Sequence, residues 1–131
     1  MNLQVGVKIL LKNTEGKYLL VRRSAEKYPK AGDQWEIAGG RINPGSPLIE
    51  NLQREVKEET GLEIIGIPKI LAAQDIIMAD KHIVRITYTG EANGEVILSD
   101  EHTDYKWLTL DEIKDIEPMD SYFKEIISLT K

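Results

Sequence analysis

Three glutamates, Glu55, Glu58 and Glu59, stand three and four residues apart within Arg54-Glu55-Val56-Lys57-Glu58-Glu59-Thr60-Gly61-Leu62. At about 100° per residue this spacing puts them on one helix face. Carboxylates so grouped either hold a hard divalent cation or form a solvated acidic face. Local energetics favour the cation. Glu58 and Glu59 fall in the last turn, where the helix dipole is negative and each costs about 0.3–1 kcal/mol. Glu55 and Glu59 repel by roughly a few tenths of a kcal/mol more. Arg54 relieves Glu58 one turn on and Glu50 can reach Arg54, but neither neutralises the cluster. Oxygen donors in a chain with no cysteine and two histidines point to magnesium or manganese rather than zinc.

The element that must carry these glutamates is the best helix of the chain, residues 47–60. Ser46 is a suitable N-cap, Pro47 suits the first helical position, and Gly61 fits just past the end. Ile49, Leu52, Val56 and Thr60 recur at helical spacing as a core-facing stripe. Around it, apolar runs at 5–11 and 18–21 flank the turn Asn13-Thr14-Glu15-Gly16 and read as a strand pair. Residues 24–34, with Pro29, Gly32 and Asp33, read as a loop leading into a short strand at 35–38 and Gly39-Gly40. Strands are expected at 62–74, 83–89, 96–98 and 105–108, and helices at 110–115 and 121–129. Strands interspersed with helices predict an α/β (α+β) domain, a mixed sheet with helices on its faces.

Bulk properties set the frame. The 131 residues fit one domain, 1–131, large enough for a core without staples. With no cysteine, disulfides, thiolate zinc sites and cysteine nucleophiles are excluded. A net charge of −5 argues against general nucleic-acid binding, which rests on phosphate neutralisation by Lys and Arg. No apolar run reaches the roughly 18–20 residues that span a bilayer, and Met1-Asn2-Leu3-Gln4 does not open a secretory signal. A cytoplasmic location is the expectation.

The stretch 40–62 resembles the Nudix box, Gly-x5-Glu-x7-Arg-Glu-U-x-Glu-Glu-x-Gly-U, where U is a bulky aliphatic residue. Gly40, Arg54, Glu55, Val56, Glu58, Glu59, Gly61 and Leu62 match eight of its nine defined positions, and Ser46 replaces the first glutamate. Tyr18-Leu19-Leu20-Val21-Arg22-Arg23, Trp35-Glu36-Ile37-Ala38-Gly39-Gly40 (Ala38 standing where proline is usual), Glu101-His102 and Trp107-Leu108-Thr109-Leu110-Asp111-Glu112 are similar to flanking family segments.

The resemblance implies a Nudix fold, a mixed sheet sandwiched between helices, that hydrolyses a nucleoside diphosphate linked to another group. It implies that Glu55, Glu58 and Glu59 hold the metal, with one of them, or Glu101 as a further ligand, acting as general base. Arg54 would orient the glutamates with Glu50 in support, and Gly39 and Gly40 would allow close backbone approach. Arg22 and Arg23 are candidates for substrate phosphates. Strand alternation sends only one of them into the cleft, and Arg23 shares the face of Leu19 and Val21. Trp35 and Trp107 are candidates for stacking on a base, although a core position is commoner for tryptophan. His82 and His102 receive no role. A nucleotide-binding module without hydrolysis is the alternative, and such modules lose box glutamates that this chain retains. The substrate among nucleotides and their derivatives stays open, as does the choice between monomer and homodimer.

Overall fold

The computed structural model describes residues 1–30 and 32–130, so Ala31 of the 24–34 loop and the last residue of the expected domain lie outside the described residues. Strands β1 (Asn2–Lys12), β2 (Tyr18–Arg23), β3 (Trp35–Glu36) and β4 (Ala38–Arg41) precede helix α1 (Leu48–Thr60). Strands β5 (Glu63–Ile77), β6 (Lys81–Asn93) and β7 (His102–Leu108) follow, then helices α2 (Leu110–Lys114) and α3 (Ser121–Ile126) and a 3-10 turn (Ile127–Leu129).

The strands form one mixed sheet in the order β3-β2-β1-β6-β5, with β4 also on β1 and β7 on β2. β1 and β6 run parallel, and all other pairs are antiparallel. β1 is apolar on both sides because both are covered. Val7, Ile9 and Leu11 pack with Leu52 and Val56 of α1, whereas Leu10 packs with Trp35, Ile113 and Phe123 on the face covered by α2 and α3. This is the helix–sheet–helix sandwich expected of the fold class.

One detail of the sheet makes room for a site. β1 meets β2 at Lys12 opposite Tyr18, then takes β4 over Gly6 to Ile9. The run expected as one strand at 35–38 therefore splits at Ile37. Trp35 and Glu36 stay with β2, while Ala38 onward crosses to β1. Glu36 and Gly39 flank that crossing.

Two expectations are corrected. The segment 96–98 is not a strand. The Ile97 N–H donates to the Thr60 carbonyl at 2.8 Å and the Ser99 N–H to the Glu59 carbonyl at 3.2 Å. The segment thus satisfies the carbonyls that the end of α1 leaves without helical partners. Ser46 is also not the N-cap. Pro47 takes that position in an extended conformation without a side-chain cap bond. The Ser46 N–H instead closes a turn onto the Asn43 carbonyl. At its other end α1 stops as expected, with Gly61 left-handed at φ 74° and its N–H on the Lys57 carbonyl.

Candidate active site

The glutamate face of α1 meets the sheet where β4 begins. Gly39 at φ 141° lies so close to β1 that a Cβ there would sit 2.0 Å from the Val7 carbonyl oxygen. No other residue fits. A Cβ on Gly40 would stand 2.9 Å from Glu55 Oε2, so this glycine lets the Glu55 carboxylate lie against the strand.

The three box glutamates sit in different surroundings. Glu58 is exposed and Glu55 half-buried, whereas Glu59 is buried at 3% exposure. Arg54 ties the first two together. Its Nη1 donates to both Glu58 oxygens at 3.2 and 3.3 Å, and its Nη2 to Glu55 Oε1 at 3.3 Å. The support expected from Glu50 comes instead from Asn51, a residue the sequence reading passed over. Glu50 is exposed, and Arg54 Nη2 donates to Asn51 Oδ1 at 3.1 Å. The fully buried Asn51 side chain also accepts from the Asn43 N–H and donates to the Arg41 carbonyl. It locks the loop before α1 to the helix. A polar residue at the border of an apolar helix stripe was the available signal.

Glu101, expected as a fourth acid, approaches from the loop ahead of β7. The Ser24 N–H donates to its backbone carbonyl at 2.9 Å, and its carboxylate acts on Glu59. Burial raises the Glu59 carboxyl to about 8; Lys8 opposes, while Glu36, Glu55 and Glu101 add to the rise.

Beside this acid lies a network that the sequence did not reveal. Glu36 is buried among cations. Lys8 Nζ donates to its Oε1 at 3.3 Å, and Arg23 donates to both oxygens at 3.1 and 3.2 Å. His102 Nε2 lies 2.8 Å from Glu36 Oε2. Burial would raise the Glu36 carboxyl, but Lys8, His102 and Arg23 outweigh it and hold the group well below the carboxylate range. Losing one partner of such a buried set costs about 3–5 kcal/mol. Lys8 interrupting the apolar run of β1 was the clue in the sequence. His102, first assigned no role, is buried in this network, with Nδ1 4.0 Å from Glu59 Oε1.

Two polar atoms here, Glu59 Oε2 and His102 Nδ1, are buried without a hydrogen-bond partner among the described residues. Each such atom costs about 1–3 kcal/mol. Glu59, Glu101 and His102 offer ligand atoms within 4.8 Å of one another. Clustered carboxylates with unpartnered buried donors fit a divalent cation, the kind of ion the resemblance requires.

The network opens onto a cleft of about 340 Å³, lined by Arg23, Glu36, Gly40, Arg41, Arg85 and Asp120 among others. Arg85 is paired with buried Asp120 and lies 5.3 Å above the Tyr122 ring. Burial depresses the Arg41 guanidinium, and Arg85 and Arg23 depress it further, a sign that three guanidiniums converge. Arg22 and Trp35, the other substrate candidates, are not among the cleft's lining residues. Arg22 donates to the Asp33 carbonyl and lies 5.7 Å from the ring of Trp35, which is buried in the α2/α3 core. The alternation of β2 separates the two arginines, and the bulge between them turns Arg23 toward Glu36.

Comparison with known proteins agrees with this geometry. A family model for the NUDIX domain matches residues 2–129. The nucleoside triphosphatase NudI of Salmonella agona (strain SL483) is 32% identical over 110 residues, 76% of this chain and 77% of that protein. A MutT protein structure from Methanosarcina mazei Go1 superposes with a TM-score of 0.85 at 32% identity, covering 97% of this chain and 91% of the other. The fold recurs at a TM-score of 0.85 and 23% identity in a MutT NUDIX hydrolase from Burkholderia pseudomallei. A buried acid on the box helix beside a guanidinium-lined cleft is thus set in a chain that matches the family from end to end, and the chain belongs to the Nudix family as a Nudix hydrolase.

Proposed function

We propose that the chain is a magnesium- or manganese-dependent pyrophosphohydrolase that cleaves a phosphoanhydride bond of nucleoside triphosphates. One observation carries the reading: a buried Glu59 oxygen without a hydrogen-bond partner among the described residues stands behind His102 and Glu36, and Glu36 lines a cleft together with Arg23, Arg41 and Arg85. Anionic ligands for a cation and cationic ligands for phosphates stand side by side, as phosphoryl transfer requires. The relatives named nucleoside triphosphatase and MutT protein support the substrate class.

Glu55, Glu58 and Glu59 would hold the cation, which supplies charge neutralisation at the phosphate oxygens and a more acidic water. Arg23 is fixed by Glu36 through two hydrogen bonds, so its guanidinium is oriented before substrate arrives. Together with Arg41 and Arg85 it would receive the phosphates not under attack. Glu101, the acid outside the box, would serve as a further ligand or accept the proton of the attacking water. Water adds to one phosphorus, the bridging oxygen leaves with the other, and that proton is passed on to solvent.

Incubating the protein with the common ribo- and deoxyribonucleoside triphosphates in millimolar magnesium, with detection of phosphate and pyrophosphate, tests the reading. Product release abolished by chelator is expected, as is a melting temperature raised by the ion. Tight nucleotide binding without product across the panel would establish a binding module instead. Full activity in excess chelator would remove the metal mechanism.

A further inference from the structure

We propose that His102 is a nitrogen ligand of the metal site, so that its Nδ1, with one oxygen each from Glu59 and Glu101, makes a set that prefers manganese and cobalt to magnesium. The inference rests on the metal-dependent reading above and adds a ligand, and a selectivity, that the box glutamates alone do not supply.

The argument begins at the other ring nitrogen. His102 Nε2 lies 2.8 Å from Glu36 Oε2. Glu36 is paired with Lys8 and Arg23 at 3.3 and 3.1 Å, and a carboxylate held by two cations accepts hydrogen bonds and donates none. A metal-bound imidazole is neutral, and its one proton then sits on Nε2 against Glu36, leaving the Nδ1 lone pair for the ion. A carboxylate behind a histidine is the arrangement that orients metal-bound imidazoles and strengthens them as donors.

Nδ1 then has nothing to accept from. The His102 side chain is 2% exposed, and Nδ1 has no hydrogen-bond partner among the described residues. Glu59 Oε1, at 4.0 Å, is too far for a hydrogen bond. Glu59 Oε2 is equally buried and equally without a partner. A ring nitrogen and a carboxyl group that face one another without partners are both satisfied by a cation between them, which takes the place of the carboxyl proton. Glu101 completes the group, all three ligand atoms lying within 4.8 Å of one another. Opposed ligands about an ion with bonds of roughly 2.0–2.2 Å stand about 4.0–4.4 Å apart and adjacent ones closer, so the three atoms must draw together. Small side-chain rotations close the difference.

The chemistry follows from the donor atoms. Magnesium favours oxygen and parts reluctantly with its water, whereas imidazole nitrogen suits transition ions, cobalt more than manganese. Calorimetric or EPR titration of the full chain with manganese, cobalt and magnesium should give affinities in the order cobalt, manganese, magnesium. Pulsed EPR of the manganese-loaded wild type should show the coupling of a directly bound ¹⁴N. In His102→Asn that coupling should vanish and manganese affinity fall by about tenfold or more, with magnesium affinity changed by less than about threefold.

The wild-type spectrum needs no variant, so misfolding of His102→Asn leaves the test intact. Manganese bound without nitrogen coupling overturns the inference while leaving the metal-dependent hydrolase standing. Failure of all three ions to bind at millimolar concentration overturns both.

Discussion

Two openings in the surface differ in a way that size does not predict. The larger, about 820 Å³, lies between the ends of β5 and β6 and the C-terminal 3-10 turn, bordered by Ile65, Ile67, Leu71 and Leu129. Of its charged residues, Lys69 and Glu91 are exposed, so water solvates each at little cost, and the half-buried Lys12 lies over the Tyr18 ring with no buried carboxylate beside it in the lining. The smaller cleft, about 340 Å³, is lined mostly by buried or half-buried charges that pair with one another, Lys8 and Arg23 with Glu36 and Arg85 with Asp120, beside the exposed Arg41. Burying a charge costs several kcal/mol, and the fold retains it only within a well-formed network. Such networks shift pKa values and orient donors, which is the groundwork of catalysis. The smaller cleft is therefore the working one, and the larger opening supplies its controls.

The sharpest way to break this contrast is Glu59→Gln set against Ile67→Ser. The first removes a buried ligand charge with little change in volume and should lower turnover by about two or more orders of magnitude. The second alters an exposed residue of the larger opening and should leave turnover unchanged. Equal activity of the two variants in the nucleotide assay would end the assignment.

Arg23→Met should act on binding. It removes a guanidinium from the smaller cleft and should raise KM by about tenfold or more, the loss of a charge-assisted hydrogen bond. Lys69→Met, at the rim of the larger opening, should leave KM as it was. Steady-state kinetics on both variants decides between them.

A third test reads stability against pH without metal. The folded Glu59 carboxyl titrates near 8, above its unfolded value of about 4.3. A raised carboxyl contributes stability that is present below the unfolded pKa and lost as pH rises through the folded one. Glu36 is shifted the opposite way and is ionised in both states above pH 5, so it adds no slope there. Melting temperature in chelator should thus fall between about pH 5 and 8, and Glu59→Gln should flatten the decline. A wild-type melting temperature constant over that range would show that burial does not hold the proton on Glu59.

The smallest effect is expected at Ser46. It makes no cap on α1, so Ser46→Ala should change stability by no more than about 0.5 kcal/mol, as a surface substitution does. Asn51→Ala removes the group that holds both Arg54 and the loop at residue 43, and should cost distinctly more. Denaturant unfolding of the two variants would show whether Asn51 does the supporting work once expected near Ser46 and Glu50.

What the sequence determined by itself was the helix and its acids. Glu55, Glu58, Glu59, Arg54 and the Gly61 stop are local facts, because helical spacing and end effects act within one or two turns. The long strands of the sheet were legible for the same reason, since apolar runs between turn residues mark them whatever they later pair with, whereas the short runs at 35–38 and 96–98 were not. Tertiary structure alone decided which of those acids would be buried and what would face it. Lys8, Arg23, Glu36 and His102 are separated by up to 94 positions and come from four strands. They meet because the chain crosses from β2 to β1 at Ile37 and because β7 lies on β2. Helix capping misled at Ser46 because the helix starts one residue later than expected, with Pro47 at the cap position and Ser46 held in a turn closed onto the Asn43 carbonyl. Burial, and with it the raised Glu59 carboxyl and the His102 Nδ1 left without a partner among the described residues, is a property of neighbours distant in sequence.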